Sequence, residues 1–124
     1  MKVLITDSDF PDLELEQGMF RDAGIEVKSA QCKTEAEVIA AGQDVDAFLV
    51  QYAPINKTVF AALPNVKIAS RYGAGFDTIN TGDAQAHGVW VCNSPDYGMH
   101  EVASHALAMV MNLVRHISFY DRDV

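Results

Sequence analysis

Three scarcities in this chain each close off a class of protein. Its only two cysteines, Cys32 and Cys92, lie far apart, without a CxxC pair or a Cys/His cluster. That spacing excludes a disulfide framework and a zinc site, and it predicts two reduced, buried thiols. Basic residues are also few: 9 Lys and Arg face 17 Asp and Glu, for a formal net charge of −8. Nucleic acid and anionic membranes are held by clustered cations, so neither is an expected partner. Long hydrophobic runs are missing too. No segment approaches the ~20 apolar residues of a membrane span, and MKVLITDSD reaches acidic residues too soon for a secretory leader. The expected compartment is the cytoplasm.

What is present fits one globular domain with a real core: 124 residues, 49% of them hydrophobic. Five β-prone runs, at 2–6, 25–30, 46–51, 66–70 and 89–92, alternate with helical patterns. Between the first two, Leu15, Met19 and Ala23 recur at helical spacing, with Gly24 placed as a left-handed cap. Residues 34–42 open with Thr34 and Glu37 in capping-box spacing and stop at Gly42. Residues 56–63 end before Pro64. Residues 81–88 form a further short helix closed by Gly88, with His87 at its end. Repeated strand–helix–strand units with short links predict an α/β fold: a five-stranded parallel sheet of flavodoxin-like order over residues 1–93, with helices on both faces. Ligands of such sheets gather at the carboxyl ends of the strands, here 6–9, 51–54, 70–75 and 92–95.

The last segment carries the strongest helical signal. Val102, Ala106, Met109, Val110, Leu113 and Ile117 form an apolar stripe, widened by Leu107, Met111 and Val114. A stripe this broad predicts a long helix over 100–117 that is buried against more than its own sheet, by a second domain or a partner chain.

Several chemistries can be tested on the residues. Around ASRYGAGFDTIN, Gly73 and Gly75 match two glycines of a G-x-G-x-x-G dinucleotide loop, but Thr78 occupies the third position and the segment follows the fourth strand. A phosphate-accepting receiver domain is equally disfavoured, because Gln51 and Asn93 stand at its acceptor and lysine positions. Asp7 and Asp9 read as loop and helix-cap residues rather than metal ligands. His100 and His105 lie roughly 140° apart on a helix and make a poor metal pair. No metal site is expected, and no nucleophilic triad follows from spacing. Two readings of 71–75 stay open: an anion cradle, in which glycine N–H groups and the Arg71 fork hold a carboxylate, or a glycine-rich turn beside a surface arginine.

These residues also carry a family resemblance. R-x-G-x-G-x-D at 71–77, H-G at 87–88, V-x-V-x-N-x-P at 89–95 and E-V-A-x-H at 101–105 resemble the NAD-dependent D-2-hydroxyacid dehydrogenases. The resemblance leans to the C-terminal-binding-protein-like and phosphoglycerate-dehydrogenase-like branch, and is weakest over 7–45. It implies a flavodoxin-like substrate domain facing a Rossmann cofactor domain across the active-site cleft. The backbone of Gly73, Ala74 and Gly75 would bind the carboxylate of a small 2-hydroxy or 2-oxo acid, assisted by Arg71. Tyr52 would line that pocket, and Ala74 and Val102 would touch the nicotinamide end of NAD. Residues 94–124 would form the crossover and the helix that leads to the cofactor domain and a homodimer interface.

The glycine-rich cofactor motif, the catalytic Arg, the acidic residue and the His of family enzymes fall beyond position 124. So does the helix that returns to complete the substrate domain. The expectation is therefore a truncated, catalytically silent, substrate-binding portion with no catalytic residue of its own and no tight hold on NAD. Its long helix either folds back onto the sheet or exchanges with a second copy. The alternative is a non-catalytic flavodoxin-like ligand-binding or protein-interaction module.

Overall fold

The computed structural model describes residues 1–123. Five strands, β1 (Lys2–Ile5), β2 (Glu26–Ser29), β3 (Ala47–Val50), β4 (Ile68–Arg71) and β5 (Trp90–Cys92), form one sheet in the order β2-β1-β3-β4-β5. Every pairing is parallel, with Val3 opposite Val27 and Ala47, and Ala69 opposite Phe48 and Val91. The order reverses direction at β1, so right-handed crossovers send the first helix to one face and the next three to the other.

The helices end where their sequences stop supporting them. In α2 (Glu35–Ala41), Thr34 Oγ1 accepts from Glu37 N at 3.3 Å while Glu37 Oε2 accepts from Thr34 N at 3.0 Å, the reciprocal box expected from the sequence. Asn56 caps α3 (Lys57–Ala62), and Asn80 caps α4 (Thr81–Ala86), with His87 closing the latter. Val38, Val59, Phe60 and Ala84 from these three helices meet Leu4, Phe48, Val50 and Ala69 of the sheet in one buried core.

The other face is served by α1 (Glu14–Asp22) alone, beside β2. Gly24 follows it at φ +69°, the left-handed cap read from the sequence. The packed stripe of α1 differs from the expected one. Leu15 and Met19 are 72% and 66% exposed, and Ala23 is exposed, whereas Glu16, Gly18 and Phe20, with Leu13 just before the helix, are the half-buried positions. Apolar spacing identified the helix, but direction toward the sheet was set by where the crossover laid it down.

Because α1 covers only one side of this face, the β4–β5 side is open. Trp90 is 77% exposed, and Cys92, which shares its face by strand alternation, is exposed rather than buried. Cys32 is buried as expected, and burial raises its thiol pKa, keeping it protonated.

The carboxyl-terminal helix also departs from expectation. It runs as α5 (Met99–Arg115), breaks at His116 in the left-handed conformation (φ 55°), and continues as α6 (Ile117–Asp123). Asn112 Oδ1 accepts from Ser118 N and Ser118 Oγ, both at 2.9 Å, which secures the break. Among the described elements α6 is the main neighbour of α5, and Val102, Val110 and Leu113 remain more than half exposed. Fold-back onto the open sheet face does not occur in this chain.

Candidate functional site

The carboxyl ends of β1, β3, β4 and β5 converge as the fold class requires. Asp7, just beyond β1, is buried and organises the tip of β3. Its Oδ1 accepts from the N–H groups of Gln51 and Ala53, both at 3.2 Å, and from Thr6 Oγ1 at 2.7 Å. Its Oδ2 accepts from Tyr52 N at 2.6 Å. A single carboxylate thus turns the chain at 51–53 and aims Tyr52 outward, where its ring is 59% exposed. Asp9 is held next to it: its N–H donates to Gln51 Oε1 at 2.8 Å, and the Gln51 amide donates back to Asp9 Oδ1. Both aspartates are loop residues as expected, but neither caps a helix: Asp7 braces one strand tip from another, and Asp9 is bonded to Gln51.

The glycine loop starts at the end of β4. Tyr72 N donates to Val50 O at 2.8 Å, continuing the ladder, and Gly73 then takes φ +123°. A Cβ at Gly73 would overlap Arg71 Nη1 and lie 3.5 Å from the Tyr97 hydroxyl oxygen. Glycine is thus favoured at 73 by its backbone conformation, and a side chain there would also displace the Arg71 guanidinium. Gly75 has neither constraint: its φ is ordinary, and an added Cβ would meet only Asp77 Oδ2 at 3.6 Å. The β5 tip shapes the same loop, since Ser94 N donates to Gly73 O at 3.0 Å and Asn93 Nδ2 donates to Ala74 O at 2.8 Å.

This packing leaves donors unused. Arg71 Nε is buried without a hydrogen-bond partner among the described residues. The N–H groups of Gly73, Ala74 and Gly75 likewise donate to no described residue. Beside them is a cavity of about 310 Å³ that touches Tyr52, Arg71 and Gly73. It also touches Phe10, Tyr72, Tyr97, Gln51 and Ser94, which the sequence reading did not single out as site residues. Gln51, Tyr72 and Ser94 belong to strand tips marked in advance; Phe10 and Tyr97 lie just past them. Tyr72 is anchored from behind by donating its hydroxyl to Glu16 Oε1 at 3.0 Å, and burial with that bond raises its phenol pKa.

Ala74 and Val102 also come together, around a second, apolar depression of about 620 Å³ shared with Tyr97, Gly98 and Ala106. No described loop beside it has the three-glycine form that cradles a pyrophosphate. No group of three or more His, Cys, Asp or Glu among the described residues is arranged to hold a metal.

A five-stranded, all-parallel sheet in the order β2-β1-β3-β4-β5 with helices on both faces defines an α/β domain of the flavodoxin-like class. The chain belongs to the D-isomer specific 2-hydroxyacid dehydrogenase family, whose catalytic-domain sequence model matches residues 3–121. It is 36% identical over 98 residues to D-3-phosphoglycerate dehydrogenase of Mycobacterium leprae, covering 78% of this chain and 19% of that protein. Against D-3-phosphoglycerate dehydrogenase of Synechocystis it is 34% identical, covering 99% of this chain and 22% of that protein. The NAD+-bound 3-phosphoglycerate dehydrogenase of Entamoeba histolytica superposes with a TM-score of 0.75 at 27% identity, covering 90% of this chain and 38% of that one. The chain thus spans about a fifth of the curated relatives it matches.

Proposed function

We propose that this chain forms the acid-binding wall of a D-2-hydroxyacid dehydrogenase site, orienting a small 2-oxo or 2-hydroxy acid without itself transferring hydride. The buried, unpartnered Arg71 Nε, in a cavity that the unused N–H of Gly73 also borders, carries this reading, because a carboxylate is a ligand that supplies the acceptors both lack. The acid's carboxylate accepts from Arg71 and from Gly73–Gly75, and Tyr52 closes the pocket over it. Gly75, whose lack of a side chain the fold does not require, leaves room for the ligand. Ala74 and Val102 shape the surface against which the nicotinamide ring rests. NAD, when bound in a longer protein, supplies or accepts the hydride. Residues 1–93 are the acid-binding domain in this reading, and 94–124 lead toward the cofactor domain.

The exposed apolar face of α5 supports two further parts of the proposal. Fully burying each large side chain is worth roughly 1.5–3 kcal/mol, which favours pairing of α5 with a second copy. The same face favours the rival reading, a non-catalytic interaction module with no acid site. Light scattering tests the pairing: a monomer mass that does not change with concentration refutes it.

Titration with pyruvate followed by amide NMR separates the two functions. The acid reading expects shifts at 73–75 and at least about tenfold weaker binding in Arg71→Met, from loss of a charge-assisted bond. An absence of shifts refutes it and leaves the interaction module. Sustained NADH oxidation by the 124-residue chain with glyoxylate, pyruvate or hydroxypyruvate refutes the non-catalytic part.

A further inference from the structure

We propose that the cleft beside Arg71 selects acids whose side chain is uncharged and aromatic, and disfavours phosphorylated acids. This rests on the carboxylate reading above and adds what the rest of the ligand must be.

The walls of the 310 Å³ cavity carry four rings, Phe10, Tyr52, Tyr72 and Tyr97. Phe10 and Tyr72 already meet edge to face, with centroids 5.3 Å apart, and a third ring extends such a cluster favourably. Two polar groups of these walls are already committed, while Ser94 Oγ and the Tyr97 hydroxyl have no partner among the described residues. The Tyr72 hydroxyl is given to Glu16, and the Gln51 amide is locked to Asp9 in both directions. A ligand side chain therefore meets ring faces more than free donors. The cavity is at the small end of the roughly 300–1,000 Å³ typical of ligand sites, which suits a short acid bearing one ring.

Charge argues against phosphate. Arg71 is the one cation among the residues that line the cleft, and the carboxylate uses it. The nearby ionised groups are acidic. Glu16 accepts the Tyr72 hydroxyl, and Asp9 Oδ2 lies 3.5 Å from the Tyr52 hydroxyl oxygen. Lys33 lines the adjoining depression, but it shares that space with Asp7 and Asp9, and its charge acts on Glu37. A phosphate dianion placed here would lack a cation of its own and face two carboxylates at the rim.

The test compares three probes on the chain by NMR: pyruvate, phenylpyruvate and 3-phosphoglycerate. Phenylpyruvate is expected to bind about tenfold more tightly than pyruvate, as burial of one ring allows, with shifts in the Phe10, Tyr72 and Tyr97 ring resonances. 3-Phosphoglycerate is expected to bind more weakly than pyruvate. Phe10→Ala, at a position 47% exposed and outside the buried core, should reduce the phenylpyruvate-to-pyruvate affinity ratio several-fold. The inference is overturned, with the carboxylate reading intact, if all three acids shift 73–75 but phosphoglycerate is the tightest, phenylpyruvate gains nothing over pyruvate, or Phe10→Ala leaves the ratio unchanged. Phenylpyruvate shifts confined to α5 overturn it as well. No shift at 73–75 with any probe overturns both readings together.

Discussion

Removing the Asp7 carboxylate should unfasten the site and the sheet together. In Asp7→Ala, the N–H groups of Gln51, Tyr52 and Ala53 lose their acceptor, and Thr6 Oγ1 loses its 2.7 Å partner. Each buried donor left unsatisfied costs about 1–3 kcal/mol. Tyr52 is exposed and its N–H can rehydrate, so the full cost falls mainly on Gln51 and Ala53, which are buried. The expected loss is about 3 kcal/mol, a large share of the roughly 5–15 kcal/mol that holds a domain together. In a chain of this size that lowers the thermal midpoint by about 10 °C. Asp7→Asn supplies the internal control. Its remaining oxygen can keep the Oδ1 bonds, while an amide nitrogen in place of Oδ2 cannot accept from Tyr52 N, for a cost of about 1–2 kcal/mol. Calorimetry or thermal circular dichroism on the three proteins should therefore rank wild type above Asp7→Asn above Asp7→Ala. Asp7→Ala within about 0.5 kcal/mol of wild type, or less stable Asn than Ala, would refute the bracing role.

The two loop glycines should respond differently. Gly73→Ala places a side chain at φ +123° against the Arg71 guanidinium and should cost about 1–3 kcal/mol in chemical denaturation. Gly75→Ala should stay within about 0.5 kcal/mol of wild type yet weaken pyruvate binding; unchanged binding would count against a ligand at 75. At the far end of the sheet, Lys2 and Lys28 pair with Asp44 and lower its carboxyl pKa from 3.8 to about 2. A depressed carboxylate contributes stability above its unfolded pKa and loses it as pH falls through the folded value. Acid titration between pH 4 and 2 should therefore show a stability decline that is shallower in Asp44→Asn, and an unchanged slope would show that the exposed pairs add nothing.

Local signals foretold most of the framework. Capping chemistry at Thr34 and Glu37, the stop at Gly42 and the left-handed cap at Gly24 are short-range effects, each written within a few residues, and the structure reproduces them. The site at the strand tips was legible for a related reason: a parallel sheet with right-handed crossovers has one place to collect ligands, so strand order predicts which loops meet. Arg71 and Gly73, at one of those tips, border the cavity there. The aromatic walls were not legible, because Phe10 and Tyr97 belong to loops whose path depends on contacts such as Tyr72 with Glu16 across 56 positions.

Errors of reading have one source as well. Leu15 and Met19 on α1 and Cys92 on β5 are apolar and were expected to be covered. Apolar character reports that a surface would gain from burial, but whether a partner surface reaches it is a matter of geometry. Periodicity, caps and glycine positions in the amino-acid string are enough to specify the five strands, their helices and the glycine loop after β4, since those depend on neighbours a turn or a pleat away. Which side of α1 faces the sheet, how Asp7 holds 51–53, and why Arg71 Nε is left free depend on groups brought together from distant positions, and emerge only when the sheet is assembled.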